Sequence, residues 1–247
     1  MWRPEEFFDS ERLRSSGLWE LFAAGENVWE ALARLEEFLR EQIARERERG
    51  TLRQGRVAEG AWVGPDVYVG PEAVVEPGAY IIGPAWIGGK AVVRHAAYIR
   101  ENVWIADGAL VGHATEVKAS IFLERAQAPH FNYVGDSILG FGVNLGAGTR
   151  LSNLKNDGSE VTIRLPDGSE IRTGRRKLGA ILGDGVKTGC NAVLNPGTLI
   201  GPETLVYPGA VVRGYIPGHS IVKVRPVQEV VPRESRSNGG LSGEVRH

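Results

Sequence analysis

From Val57 to Leu123 every sixth residue is Val, Ile or Leu: Val57, Val63, Val69, Val75, Ile81, Ile87, Val93, Ile99, Ile105, Val111, Val117 and Leu123. A helix repeats roughly every 3.6 residues and an alternating strand every 2, so neither accounts for this register. A period of six fits short flat strands that meet at corners, each side turning one aliphatic side chain into a narrow prism. Three sides close a coil of about 18 residues, and such coils stack into a solenoid. Residues one coil apart then sit above one another at about 4.8 Å, the spacing of hydrogen-bonded strands.

The phase resumes after a slip with Val134, Leu139, Leu145 and Leu151, and again with Leu182, Leu194, Ile200, Val206 and Val212, Thr188 being the polar exception. Gly follows many inward positions (Gly64, Gly70, Gly88, Gly112, Gly146), as expected of corners that favour a residue without Cβ. The expected fold is an all-β solenoid, a parallel β-helix of hexapeptide repeats, with an N-terminal α-helical cap and one inserted loop or hairpin. Residues 1–54 form the cap, with Val28, Trp29, Leu32, Leu35, Phe38, Leu39 and Ile43 at helical spacing. They are read as covering the open end of the coil, where unpaired strand edges aggregate, with a partner-docking arm as the alternative. Coils occupy 55–152 and 179–214, the polar stretch 153–178 interrupts them around a Pro166-Asp167-Gly168 turn, and 215–247 is a C-terminal extension with a disordered tail from 233.

A net charge of −1 over 247 residues gives no global pull toward nucleic acid or membrane. No apolar run approaches a membrane span, and the N-terminus lacks the order of a signal peptide. The single Cys190 excludes a disulfide framework within the chain and suits a reducing cytoplasm.

Arg100 follows the inward Ile99 and Lys118 the inward Val117, which places two cations on one side a coil apart. Stacked like charges repel, and a bound phosphate relieves the repulsion; two side chains splaying apart in solvent is the plainer alternative. Beside them Leu123–His130 breaks the phase, so an outward excursion is expected before His130, an imidazole suited to moving a proton near neutral pH.

His130, Tyr133, Gly135 and Asp136 form a His-x-x-Tyr-x-Gly-Asp block, and Asn144-Leu145-Gly146-Ala147-Gly148-Thr149 a second block. Through them the stretch from Arg100 to Arg225 resembles the C-terminal acetyltransferase domain of the bacterial bifunctional enzymes that make UDP-N-acetylglucosamine. The repeat as a whole resembles the hexapeptide-repeat, left-handed β-helix family. The resemblance implies a left-handed coil and a homotrimer with sites between subunits. It also implies acetyl-CoA-dependent N-acylation of an amino-sugar 1-phosphate such as glucosamine-1-phosphate, or use of another acyl-CoA, in the cytoplasmic supply of cell-wall or surface sugars. It assigns His130 as general base, Arg100, Lys118, Tyr133, Asn144 and Lys177 to the sugar phosphate, and Ala147, Asn153, Cys190, Pro208 and Arg225 to the acyl donor. No metal is needed for that transfer.

The departures fall on the donor side. The family's Cys-Asn-Tyr-Asp-Gly segment reads Ser152-Asn153-Leu154-Lys155-Asn156-Asp157-Gly158, and a Ser and a small residue become Cys190 and Pro208. Nothing in residues 1–55 resembles the family's nucleotide loop, so a separate uridylyltransferase is a candidate partner. Two rival readings stay open. One is a non-catalytic subunit that binds a sugar phosphate or nucleotide sugar, or only oligomerises. The other is a zinc-dependent carbonic-anhydrase-like enzyme using His95, His113 and His130, although the closely spaced His pair of such enzymes is missing. Cys190 as a nucleophile has no assignable His.

Overall fold

The structure, a computed structural model, describes residues 2–225 and 228–232; the tail expected from 233 lies outside the described residues. Strands of two to four residues pair in parallel with those one coil away. Side one carries nine strands from Arg56–Val57 to Ile221–Val222. Side two carries eight from Trp62–Val63 to Val211–Val212, and side three eight from Val67–Val69 to Tyr215–Ile216. The hexad explains the closure, because every sixth residue points into the prism: Val75, Ile81, Ile87, Val93 and Ile99 are fully buried there. Each such side chain contributes about 1.5–3 kcal/mol relative to exposure. Thr188 is tolerated inside because its Oγ1 accepts from Gly146 N (3.1 Å) and shares a hydrogen bond with Thr149 Oγ1 (2.9 Å).

The glycines that follow inward residues are needed for a different reason than backbone twist. Gly70 keeps an ordinary φ, but a Cβ there would stand 2.8 Å from Gly89 N of the next coil. The corners with left-handed φ instead carry residues such as Glu72, Lys90, Ala96 and Asn102. Close stacking of coils, rather than the turn itself, excludes the side chain.

Three expectations are corrected. No outward excursion precedes His130: Gln127–His130 is a side-one strand paired with Leu110–His113, and the registers Val111↔Ala128 and Val117↔Val134 show a coil one residue short. The coil also runs past residue 214, since Tyr215–Ile216 and Ile221–Val222 pair with the strands below them. The insert at 153–178 does contain the expected hairpin, Thr162–Arg164 antiparallel with Glu170–Arg172, anchored by the buried Val161 and Ile163.

The largest correction concerns the N-terminal arm, which does not plug the open end. Its helices α1 (Ser10–Ser15), α2 (Trp19–Ala23) and α3 (Ala31–Glu48) lie along the outside of side three. There Phe7, Phe22, Trp29 and Leu35 bury a second core against Tyr68, Trp104, Ile138, Ile181 and Leu199. Trp2 meets Tyr215 at the C-terminal end (ring centroids 4.4 Å apart), whereas α3 reaches the first strands. Asp184 fastens the arm, accepting hydrogen bonds from Asp9 N (2.7 Å) and Phe141 N (2.8 Å). Among the described residues no helix is long and apolar enough to cross a membrane.

Candidate active site

Arg100 and Lys118 leave side two at its corner with side three, as their positions after Ile99 and Val117 dictate. The expected bare repulsion between them is absent, because each has its own carboxylate. Arg100 Nη1 donates to Glu116 Oε1 at 3.1 Å with Glu101 3.8 Å away, and Lys118 Nζ donates to Asp136 Oδ2 at 3.2 Å. The hydrogen bond to Glu116 raises the pKa of the Arg100 guanidinium. Asn153 Nδ2 donates to the same Asp136 Oδ2 at 2.5 Å, and the Tyr133 hydroxyl donates to Asn153 Oδ1 at 3.4 Å. Burial, with the fields of Glu116 and Asp136, pushes the Tyr133 phenol up, so it stays a neutral donor. Lys118, Asp136, Asn153 and Tyr133 thus form one network, which draws in Asn153, assigned by the resemblance to the donor; the Arg100–Glu116 pair stands beside it as a separate pair.

This network borders a cleft of about 600 Å³ between the side-two/side-three corner and α3. Its charged walls include Glu36 and Arg40 of α3, Arg100, Lys118, Asp136, and Arg175 from the return of the insert. Lys177 is exposed and does not line the cleft; it bridges to Leu154 on the other side of the insert's base.

His130 stands at the opposite corner, where side one turns into side two. Its backbone is pinned, with N donating to Asn132 Oδ1 (3.0 Å) and O accepting from Gly148 N (2.9 Å). The buried Asn132 in turn donates to Gly146 O at 2.8 Å. The His130 imidazole is exposed and, among the described residues, has no hydrogen-bond partner. Above it the same corner carries Ala147, whose O accepts from Asn191 N, then Cys190, whose O accepts from Gly209 N, beside Pro208. Arg225 follows the last side-one strand, and Cys190 is a free, exposed thiol. Asn144 lies on side one, between Gln127 and Lys187. The residues therefore form two groups on the two edges of side two. Arg100, Lys118, Tyr133 and Asn153 gather toward one edge, and His130 with Ala147, Cys190 and Pro208 occupies the other.

His95 and His113 do stack, with ring centroids 5.4 Å apart and nearly parallel planes. Each Nδ1 faces a carbonyl, of Pro77 (2.9 Å) and His95 (3.2 Å). Among the described residues no group of three His, Cys, Asp or Glu converges as a metal ligand set would require.

Sequence reasoning missed Asn132, Glu116, Arg175 and the α3 wall. The eighteen-residue ruler does not explain the Lys118–Asp136 pair: in the short coil Lys118 registers with Gly135, and Asp136 is one residue beyond it. No ruler reaches Arg175, which the insert places.

The GMPPB C-terminal domain family matches residues 81–195. A bifunctional sugar-1-phosphate nucleotidylyltransferase/acetyltransferase of Sulfurisphaera tokodaii is 47% identical over 93 residues, covering 38% of this chain and 23% of that protein. The bifunctional protein GlmU of Methanococcus maripaludis is 40% identical over 103 residues, 42% of this chain and 25% of its own length. The coil is a parallel β-helix of hexapeptide repeats. It is related to the C-terminal domain of GlmU-type bifunctional proteins. The chain spans about a quarter of the length of those two relatives. AntD, an N-acyltransferase from Bacillus cereus, superposes with a TM-score of 0.38 at 14% identity, over 78% of this chain and 89% of that one. Within this hexapeptide β-helix the matched region contains both candidate groups up to Cys190, and the arm, Pro208 and Arg225 lie outside it.

Proposed function

We propose that this β-helix is an acyl-CoA-dependent N-acyltransferase whose acceptor is an amino-sugar 1-phosphate, glucosamine-1-phosphate being the first to try. The observation that carries the reading is that Arg100 and Lys118 line one cleft, with Lys118 tied through Asp136 and Asn153 to Tyr133 beside it and His130 on the other edge of the same side. In the reaction the sugar amine attacks the thioester carbonyl, a C–N bond forms, the C–S bond breaks and CoA leaves as thiolate. A ring nitrogen of His130 accepts the amine proton and returns it to the thiolate, a role worth about two to four orders of magnitude in rate. An exposed, unpaired imidazole suits a base whose partner is the substrate. The backbone N–H near Ala147 would face the developing oxyanion.

A homotrimer belongs to the same reading. Trp62, Tyr80 and Tyr98 form an exposed ladder along side two, Trp62 and Tyr80 stacked at 4.3 Å, and a second copy would cover it and complete the donor edge. A cytoplasmic setting fits the free Cys190. The test is thiol release from acetyl-CoA with glucosamine-1-phosphate, with and without His130→Ala. Release that requires both the sugar phosphate and His130 is expected, with turnover falling far more than acceptor affinity. Equal loss of turnover and affinity would remove His130 as base. Sugar-phosphate binding without release, from acetyl-CoA or longer acyl-CoAs, would leave a binding subunit, a reading that Cys190 and Pro208 at the donor edge keep in view.

A further inference from the structure

We propose that Arg175 is the principal anion ligand of the cleft, and that its partner is the phosphate monoester of the acceptor. The inference rests on reading this cleft as the acceptor site. Every other cation on its walls is already engaged: Arg40 with Glu36 at 2.9 Å, Arg100 with Glu116 at 3.1 Å, and Lys118 with Asp136 at 3.2 Å. A phosphate meeting those groups must share each one with a carboxylate. Arg175 alone, among the described residues lining the cleft, has no carboxylate within ion-pair distance. Its Nε donates to Lys177 O at 3.1 Å, which fixes the guanidinium plane and leaves both Nη groups unshared.

The backbone beneath it is held on both sides. Arg175 N donates to Thr173 Oγ1 at 3.2 Å and Arg175 O accepts from Val161 N at 2.8 Å. A half-buried cation without a counter-charge is costly, and a planar fork of donors matches a phosphate with two parallel hydrogen bonds. Burial also lowers the Arg175 pKa, against the opposing field of Asp136, as an anion supplied from outside would reverse. The insert therefore does more than interrupt the coil: it delivers the free cation that side two lacks.

Calorimetric titration of the full chain with glucosamine-1-phosphate, with glucosamine and with inorganic phosphate tests this, using Arg175→Gln, Arg175→Lys and Lys177→Gln. Loss of charge-assisted hydrogen bonds should weaken sugar-phosphate binding about 10- to 100-fold in Arg175→Gln. Glucosamine binding should stay unchanged, Arg175→Lys should recover part of the loss, and Lys177→Gln should resemble the native chain. Equal weakening of glucosamine and its phosphate would make Arg175 merely structural, and a larger loss in Lys177→Gln would transfer the role to Lys177. Absence of any Arg175-dependent binding of either phosphate probe overturns the inference. The two readings fail separately. Arg175-dependent sugar-phosphate binding without thiol release removes the transferase and keeps the anion ligand. Acyl transfer with an unchanged acceptor KM in Arg175→Gln does the reverse.

Discussion

Asp136→Asn sets stability against binding at one atom. Asp136 is 5% exposed and holds Lys118, whose side chain is 15% exposed, while its Oδ2 also accepts from Asn153. Its φ of +47° is a conformation that Asn tolerates, so the backbone stays in place. Breaking a buried pair from one side costs about 3–5 kcal/mol. Lys118 borders the cleft and can rehydrate, which reduces the expected cost to about 2–3 kcal/mol. For a chain of this size that is a fall in melting temperature of roughly 4–12 °C. Binding should move the other way. Four cations and three carboxylates line the cleft, so the variant raises its net charge by one and frees Lys118 for an anion. Glucosamine-1-phosphate should bind roughly 3- to 10-fold tighter at low salt, the gain shrinking as salt rises. Differential scanning calorimetry and titration of the same preparations read both effects. An unchanged melting temperature would mean that the pair contributes nothing. Weaker binding would mean that Asp136 aims Lys118 at the ligand instead of competing with it.

Two further predictions concern neighbouring supports. A Cβ at Gly112 would overlap the Pro129 carbonyl one coil above, so Gly112→Ala must displace the strand that carries His130; turnover should fall at least tenfold with little change in acceptor affinity, as separate kcat and binding measurements would show, and a fully active variant would break the link between coil stacking and the base. Burial raises the Asp184 carboxyl pKa, more than the hydrogen bonds from Asp9 and Phe141 lower it. Because the folded chain then holds that proton more tightly, this contribution is fully present below the ordinary carboxylate range and is lost as pH rises to the raised value. Asp184→Asn should therefore lose least stability relative to the native chain at neutral pH and most at low pH in urea titrations. A pH-independent difference would contradict the assignment.

The prism was legible because its code is one-dimensional: an aliphatic every sixth residue has one physical explanation, and Val57 to Val117 state it without exception, whereas at the next step Phe122 points into the prism and Leu123 packs outside it. Tyr133 came with the resemblance, and the stacking of Arg100 and Lys118 followed from the same ruler. Their counter-ions did not, because a carboxylate such as Glu116 can point along or away from a strand at equal spacing. The short coil beneath Val134 was visible as a slip but misread as an excursion, since a deletion inside a repeat and a loop both break phase. Arg175 was out of reach because the hairpin's return path is set by Val161 and Ile163 packing, not by the repeat.

The arm is the sharper case, because the sequence does announce that the coil has apolar outer faces. Tyr68, Trp86 and Trp104 form an eighteen-residue ladder on side three, with centroids 3.7 and 4.6 Å apart. Trp62, Tyr80 and Tyr98 form another on side two. Two ladders compete for one apolar arm, and composition does not choose between them. Chain connectivity does: after α3 the backbone enters at Leu52, whose O accepts from Val69 N at 3.0 Å, and Arg53 bridges Val69. Both contacts are with the first strand of side three. A short link from α3 to that strand forces the helix to run back along side three, which makes Glu36 and Arg40 a wall of the cleft. The side-two ladder is then left for a surface outside the described fold to cover, and that ladder lies on the same side as Tyr133, between the two edges where the acceptor and donor groups stand.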